Sequence, residues 1–186
     1  NIPFEIYGAN WLIGSYKKYL RPLQVLKDSY FSNSIDSTYK LLHEKIMLEL
    51  YNKHPGHIHS ALSDQNYVNV LHNSYGIINL PESRYDHSFE NPNVLLGANL
   101  RDFEVPMSSG LLFTQRNKEI LEFYEEDKEV ILFSNELELI DKLLFYQKNP
   151  KLRLKISHAS YQRAISSHTW DNRFKLFFNY IDKEVF

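Results

Sequence analysis

The sequence predicts an α/β domain with a parallel sheet flanked by helices. Three observations lead to this fold class. Short, nearly continuous apolar runs such as "YGIINLP" (75–81) and "KEVILFS" (128–134) are typical of strands buried on both faces. These runs alternate with segments whose apolar residues recur at helical spacing. The chain has 186 residues and 43% hydrophobic content, which is enough to build a substantial core.

The N-terminal part contains two short predicted strands and two predicted helices. "PFEIYG" (3–8) is a strand that ends in a glycine turn, and "HIHSAL" (57–62) is a second short strand. Between them, residues 37–54 carry one apolar helical face, which "HPG" ends. Another helix follows "HIHSAL", with Ser63 as its N-cap.

The middle of the chain is a strand, a long loop, a short helix and another strand. After the strand at 75–81 comes a loop of turn-forming residues at 82–97, and loops of that length are often functional. A short helix is predicted at 100–107 and a strand, "GLLFT", at 110–114.

A helix–strand–helix unit follows. "NKEILEFYEED" (117–127) is predicted to be a helix and 128–134 a strand. The next helix covers 134–150, with Ser134 as its cap.

Two more helices complete the chain. One covers 149–165 and opens with Pro150, and the other covers 169–185. The last helix has a broad apolar face, which we expect to pack in the core; the alternative is that it docks on a second domain. The residues of this face are Trp170, Phe174, Phe177, Phe178, Ile181 and Val185.

Composition narrows the classes of function. A net charge of -2 gives no general attraction to nucleic acid or to anionic membranes, so any phosphate must be bound by a few local groups. The absence of cysteine excludes disulfides and thiolate metal sites, and fits the cytoplasmic location that we expect. No apolar run approaches the roughly 20 residues of a transmembrane helix, and no signal peptide is visible. Because the chain starts with Asn1 and reaches a strand almost at once, we expect residues 1–186 to be one domain of a longer protein.

The stretch "GANLRDFEVPMSSGLLFT" (97–114) carries the candidate chemistry. In parallel sheets ligands bind beyond the carboxyl ends of the strands, which selects the loops after Gly8, Ala61, Leu80 and Thr114. Glu104 lies in the helix before the last of these strands. A carboxylate there accepts hydrogen bonds from ribose hydroxyls, while amides or a guanidinium bind a diphosphate.

Arg101 and Glu104 are three residues apart and share one helix face, so both can reach the same ligand. The small residues Ser108, Ser109 and Gly110 let backbone amides approach a ligand closely. The alternative is an exposed i,i+3 ion pair between Arg101 and Glu104, worth only some tenths of a kcal/mol.

The chain resembles the C-terminal domain of CgeB-like (spore-maturation-type) glycosyltransferases, which have the GT-B fold. The similarity covers most of the chain and is weakest between Gly14 and Pro55. It consists of an R-x-F-E stretch, a small-residue turn, an acidic strand-to-helix segment, "NP", and a closing His-Thr-aromatic-x-x-Arg. These are Arg101–Glu104, Ser108–Gly110, Glu129–Leu139, Asn149–Pro150 and His168–Arg173.

The resemblance implies a Rossmann-like domain and a hexosyltransferase that uses a nucleotide-diphosphate sugar, with no bound metal and no other cofactor. This half would hold the donor, and a missing N-terminal half would hold the acceptor, so the fragment alone need not be active. Glu104 would bind the ribose, and Arg101 with the amides of Ser109 and Gly110 would face the diphosphate. The other residues implied in nucleotide-sugar binding are Gly8, Asn10, His59, Asn79, Gly97, Asn99 and Ser108.

One position departs from the family pattern. Many retaining GT-B enzymes have a second Glu eight residues before the ribose-binding one, and here that residue is Leu96. No retaining mechanism is therefore assigned, and the general base of an inverting mechanism would lie in the missing half. A lysine of "YKKY" (16–19) would join Arg101 and helix dipoles in stabilising the departing diphosphate.

Two other motifs have simpler explanations. His54, His57 and His59 lie close together, but their spacing fits no closed zinc motif, and a helix end and a strand are expected to point them in different directions. The acidic run "EEDKE" (125–129) is predicted to be a solvated turn, and Thr169 to be the N-cap of the last helix.

Two further functions stay open. One is a non-catalytic nucleotide- or partner-binding module on the same scaffold, because a fold does not determine a function. The other is a different nucleotide-using enzyme, such as an epimerase of related fold.

Overall fold

The computed structural model describes residues 3–7, 49, 52–80 and 97–185, and the side chains of these residues up to 182. Gly8, Asn10, the "YKKY" lysines, Leu96 and nearly all of the predicted loop at 82–97 lie outside the described residues. The chain forms two compact units, Asn1–Asp64 and Gln65–Phe186. The expectation that 1–186 is one domain stays a prediction.

The described part of the first unit contains a two-stranded parallel sheet. Strand β1 (Ile6–Tyr7) pairs with β2 (Ile58–His59), with Ile6 opposite Ile58. Both lie within the predicted strands. Glu49, Asn52 and Lys53 are helical, as predicted for 37–54; most of that segment is outside the described residues.

The described part of the second unit, 65–80 and 97–185, follows the predicted alternation of helices and strands. Its strands are β3 (Ile77–Asn79), β4 (Leu112–Gln115) and β5 (Ile131–Phe133). Its helices are α1 (Asp64–Asn73, which begins at the boundary residue), α2 (Arg101–Met107), α3 (Ile120–Phe123), α4 (Glu136–Lys148), α5 (Pro150–Arg163) and α6 (Trp170–Val185). A π-helical turn at Ala164–His168, which the sequence did not indicate, joins α5 to α6.

The three strands form a parallel sheet in the order β3-β4-β5. Ile78 lies opposite Phe113, and Thr114 lies opposite Leu132. Because all three strands run in the same direction, their carboxyl ends lie at one edge of the sheet. These ends are Asn79, Gln115 and Phe133. The predicted α/β fold, with parallel sheets flanked by helices, is confirmed.

The sheet is covered on both faces, as its continuous apolar strands predicted. Alternate strand residues enter two separate buried clusters. One contains Leu71, Phe103, Val105, Leu112, Ile120, Tyr124, Val130 and Leu132. The other contains Leu111, Phe113, Ile131, Phe133, Tyr146 and Ile156. The first cluster packs α1 and α2 on one face of the sheet, and the second packs α4 and α5 on the other.

Two helix predictions need correction. The N-cap of α4 is Asn135, whose side chain accepts a hydrogen bond from the Glu138 amide at 2.9 Å; Ser134 precedes the cap and donates its own amide to Glu138. The apolar face of α6 was expected in the core, yet Trp170 is 65% and Phe178 is 57% exposed. The core expectation was wrong for the described residues of this face because no described element of this unit buries that side of α6.

Helix α2 runs opposite to the strands. It begins beside the end of β3, where the Asn79 side chain contacts Asn99 and Asp102, and it ends in a turn that leads directly into β4. The start of α2 therefore lies at the carboxyl edge of the sheet, and the Ser108–Gly110 turn lies at the amino edge, about 10 Å of helix away.

Candidate functional site

Arg101 and Glu104 lie one turn apart on α2. Both affect the pKa of the Tyr67 hydroxyl in α1. The Tyr67 hydroxyl donates to Glu104 Oε2 at 2.8 Å, and Glu104 is half-buried by this contact. Burial raises the pKa of Tyr67; hydrogen bonding to the neighbouring Arg101 lowers it and that to Glu104 raises it. The neutral phenol is therefore retained as a donor to the carboxylate.

The contacts differ from a simple ion pair. In the part of the chain that the structure describes, Arg101 and Glu104 form no salt bridge with each other, and Arg101 is exposed. Tyr67 holds one oxygen of Glu104, and the other, Oε1, has no hydrogen-bond partner among the described residues. The predicted shared face is thus observed, with a half-buried carboxylate and an exposed guanidinium.

Asp102 fixes the start of α2 against the end of β3. Its side chain is 0% exposed, and its two oxygens accept hydrogen bonds from Asn79 Nδ2 at 2.7 Å and from the Asn99 amide at 2.9 Å. Asn99 Oδ1 accepts from Asn79 Nδ2 at 3.1 Å and from the Arg101 amide at 3.0 Å. Two of the predicted binding residues, Asn79 and Asn99, therefore lie together beside Arg101.

Gly97 belongs to the same loop. The Ala98 amide donates to Glu119 Oε2 at 2.6 Å, and a Cβ on Gly97 would lie 3.0 Å from that same oxygen. The loop at 97–100 is thus held on one side by Glu119 and on the other by Asp102.

The structure does not bring Ser108, Ser109 and Gly110 to this place. They lie at the opposite end of α2, and their amides donate to helix carbonyls, as in Ser109 to Pro106 at 2.9 Å and Gly110 to Val105 at 2.9 Å. A Cβ on Gly110 would lie 2.6 Å from the Leu71 carbonyl oxygen, so this glycine permits close packing of α1. We leave these three residues out of the proposed site.

His59 lies in the first unit, and its neighbours there are local. Its ring stacks on Tyr7 at 4.7 Å, and its Nε2 lies 2.6 Å from Glu5 Oε2. His57 approaches the other oxygen of Glu5 at 3.1 Å, so the expectation that His57 and His59 point in different directions was wrong. Hydrogen bonds from His59 and then His57 lower the pKa of Glu5.

A second cation, Arg116, follows β4 at the carboxyl edge, but its charge is already paired. Its guanidinium forms a two-pronged ion pair with Glu126, and its Nε donates to Ser134 Oγ at 3.2 Å. Hydrogen bonding to Arg116 lowers the pKa of Glu126. Because this pairing neutralises Arg116, Arg101 is the better candidate for binding an anionic ligand.

Residues of the acidic run at 125–129 also form ion pairs. Glu129 accepts from Arg163 Nε at 3.1 Å, and Glu125 pairs with Lys128 at 2.6 Å. Within the described residues, no group of three or more His, Asp or Glu side chains is placed to hold a metal ion. Nor does any helix in that part of the chain have the length and apolarity needed to cross a membrane.

The closing His-Thr-aromatic-x-x-Arg motif attaches α6 to α2. Thr169 caps α6, as predicted, by accepting from the Asn172 amide at 3.3 Å. The Arg173 guanidinium lies 4.1 Å from the centre of the Phe103 ring, and the His168 ring contacts the same phenylalanine. Burial lowers the pKa of His168. The motif therefore supports, from the inside, the helix that carries Arg101 and Glu104.

Sequence reasoning missed Tyr67 and Asp102. Tyr67 lies in a different helix, and only a contact across 37 residues reveals its hydroxyl as a partner of Glu104. Asp102 stands inside the R-x-F-E stretch, but a carboxyl group at that position gives no sign that it is buried.

Comparison with known proteins gives one clear result. The family described as "Glycosyl transferase-like" matches residues 1–179, which is nearly the whole chain. The comparison with curated proteins finds no significant match.

Proposed function

The chain belongs to the glycosyl transferase-like family, and from this premise we propose that it binds the nucleotide-diphosphate sugar donor of the transfer reaction at the carboxyl edge of β3-β4-β5. The observation that carries the proposal is the joint placement of Arg101, Glu104 and Tyr67 at the edge where ligands of parallel sheets bind. The family supports glycosyl transfer in general; the donor and the residues that hold it are our inference.

Glu104 is the proposed ribose ligand. The two hydroxyls of a ribose are donors at fixed spacing, and a carboxylate is a matching acceptor. Tyr67 holds Oε2 at 2.8 Å and thereby orients the group, and Oε1 would accept from the ribose. Because Glu104 is half-buried, each hydrogen bond that it makes to ligand is less exposed to competition from water.

Arg101 is the proposed diphosphate ligand. It is exposed, and no carboxylate neutralises it within the described residues. During transfer the bond between the anomeric carbon and the diphosphate oxygen breaks, an acceptor oxygen bonds to that carbon and loses its proton, and the nucleoside diphosphate leaves. A guanidinium near the departing oxygens stabilises the charge that develops there.

We further propose a metal-independent hexosyltransferase of the CgeB-like branch with the GT-B fold, acting in the cytoplasm. Its acceptor would be held by an N-terminal half of the same protein. Asn79, Gly97 and Asn99 belong to the same edge as Arg101 and are kept in the proposed site. Gly8 and Asn10 stay predictions outside the described residues, and His59 stays a prediction in the first unit.

Calorimetric titration tests the proposal. Uridine and guanosine diphosphates are titrated into the wild-type chain, Glu104→Ala and Arg101→Ala, with Glu122→Ala and Lys151→Ala as controls on exposed helix positions. Each site variant should weaken binding about 10- to 100-fold, because a hydrogen bond to a charged group contributes about 1.5–3 kcal/mol. A chelator should leave the wild-type affinity unchanged.

The possible outcomes separate the proposed function from its alternatives. Saturable binding that only the two site variants lose supports the donor site. Absence of saturable binding by the wild type contradicts it and favours a non-catalytic module. Binding that is abolished by the chelator contradicts only the proposal that the chain works without a metal ion.

A further inference from the structure

The start of α2 is held by a small buried polar network, formed by Asn79, Asn99 and Asp102. Asn79 is 1% and Asp102 is 0% exposed, and together with the half-buried Asn99 they lie where β3 ends and α2 begins. A buried carboxyl group is costly unless its oxygens are hydrogen-bonded, and here both oxygens accept, at 2.7 and 2.9 Å. This cost needs an explanation, because an apolar residue at the same place would pack without it.

The hydrogen bonds of this network extend to the backbone of Arg101. Asp102 holds the Asn99 backbone, and Asn99 Oδ1 holds the Arg101 amide at 3.0 Å. Asn79, the last residue of β3, donates hydrogen bonds to both Asn99 and Asp102. The Arg101 side chain is exposed. Because its backbone is fixed by these hydrogen bonds, the region that the guanidinium can reach is limited.

We infer that Asp102 is a positioning residue, which through Asn79 and Asn99 orders the loop at 97–101 and aims Arg101 at the ligand. The inference rests on the proposed function, since Arg101 is the diphosphate ligand proposed there. Asp102 itself touches no ligand, because its side chain is fully buried while Arg101 is exposed.

The test is an exchange of the two buried side chains. In Asp102→Asn the new amide group must face one of two N–H donors, so one hydrogen bond is lost. In the double variant Asn79→Asp/Asp102→Asn, the amide at position 102 donates to the carboxylate at position 79 and accepts from the Asn99 amide. Both hydrogen bonds of position 102 are thereby restored, while the bond from Asn79 Nδ2 to Asn99 Oδ1 is lost because position 79 no longer carries a donor. Asp141→Asn, at an exposed position of α4, is the matched control.

Two quantities are measured, one of which needs no ligand. Amide hydrogen exchange at Asn99 and Arg101 should become about tenfold faster in Asp102→Asn and stay unchanged in the control, and the Asn99 amide should return toward the wild-type rate in the double variant. The amides of β5 should keep their protection throughout. The dissociation constant for the best nucleoside diphosphate should rise about tenfold in Asp102→Asn and stay unchanged in the control.

Several results would overturn the inference. One is a general loss of protection in Asp102→Asn while the affinity of the folded chain is unchanged, which would make Asp102 a packing residue only. Another is failure of the exchanged pair to slow the exchange of the Asn99 amide again. If Asp102→Asn does not fold, Asn99→Ala replaces it: it leaves the buried Asn79–Asp102 pair intact and should accelerate exchange of the Arg101 amide alone. If the wild type binds no nucleotide, the proposed function fails, and the exchange rates still decide whether the network orders the loop.

Discussion

At the residue scale, the candidate site depends on contacts between residues that are distant in sequence. The shared face of Arg101 and Glu104 was predicted from their spacing, because three residues on a helix return to the same side. Tyr67 and Asn79 come from other elements, 37 and 23 residues away from their partners. Spacing gives no information on such contacts, so the carboxylate's orientation and the buried network could not be predicted.

Tyr124 gives a residue-scale prediction on stability and pH. Its hydroxyl is buried without a hydrogen-bond partner among the described residues, and burial, with a further effect of Asp102, raises the pKa of Tyr124 strongly. The unfolded chain releases this proton near pH 10 and the folded chain keeps it. The free energy of unfolding is therefore independent of this group's titration below about pH 10 and decreases as the pH rises above that value toward the folded pKa.

Tyr124→Phe should raise the free energy of unfolding at pH 8 by about 1 kcal/mol, because it removes an unsatisfied buried hydroxyl. It should also reduce the loss of stability between pH 9 and 11. Denaturant unfolding at several pH values measures both effects, with exposed Tyr180→Phe as the control. A Tyr124→Phe chain that is less stable at pH 8, or as alkali-sensitive as the wild type, would contradict this account.

At the element scale, the strands and helices of the second unit were largely predictable and their ends were not. Continuous apolar runs identified β3, β4 and β5 because a sheet covered on both faces leaves no polar side to its strands. The cap of α4 was placed one residue early, since Ser134 and Asn135 are both good caps and only the geometry selects Asn135. The π-helical turn had no local signal.

Gly110 provides the element-scale prediction. A Cβ at this position would lie 2.6 Å from the Leu71 carbonyl oxygen and 3.0 Å from Val105, so Gly110→Ala must push α1 and α2 apart. Overpacking of this kind typically costs about 1–3 kcal/mol. Thermal unfolding should show a clear decrease in Tm for Gly110→Ala. Gly56→Ala is the matched control, because its Cβ would meet nothing within 4 Å, and a decrease of equal size there would contradict the packing role of Gly110.

At the scale of the whole molecule, composition and alternation predicted the covered parallel sheet, but not the exposure of the apolar face of α6. Periodicity shows that a helix has an apolar side without showing what lies against it. In the structure that side includes Phe174 and Phe178, which are exposed. Docking of this face on a second domain stays a prediction.

The exposure of α6 makes a prediction for the isolated chain. Because Phe174 and Phe178 are more than half exposed, the double variant Phe174→Ser/Phe178→Ser should change the free energy of unfolding by less than about 1 kcal/mol. Ile156→Ser, a change at a buried residue of the core, should cost several times more. Similar losses in the two variants would mean that the apolar face of α6 is covered in solution.

The central claim is that Glu104 holds the ribose of a nucleotide. The most direct test combines removal of the ribose hydroxyls from the ligand with removal of the Glu104 carboxylate from the protein. The best-binding nucleoside diphosphate and its 2′,3′-dideoxy analogue are titrated into the wild type and into Glu104→Ala. The wild type should bind the dideoxy analogue about tenfold or more weakly, since the carboxylate loses its donors, and Glu104→Ala should bind the two ligands alike. Equal affinity of the wild type for both ligands, or full discrimination by Glu104→Ala, would contradict the claim.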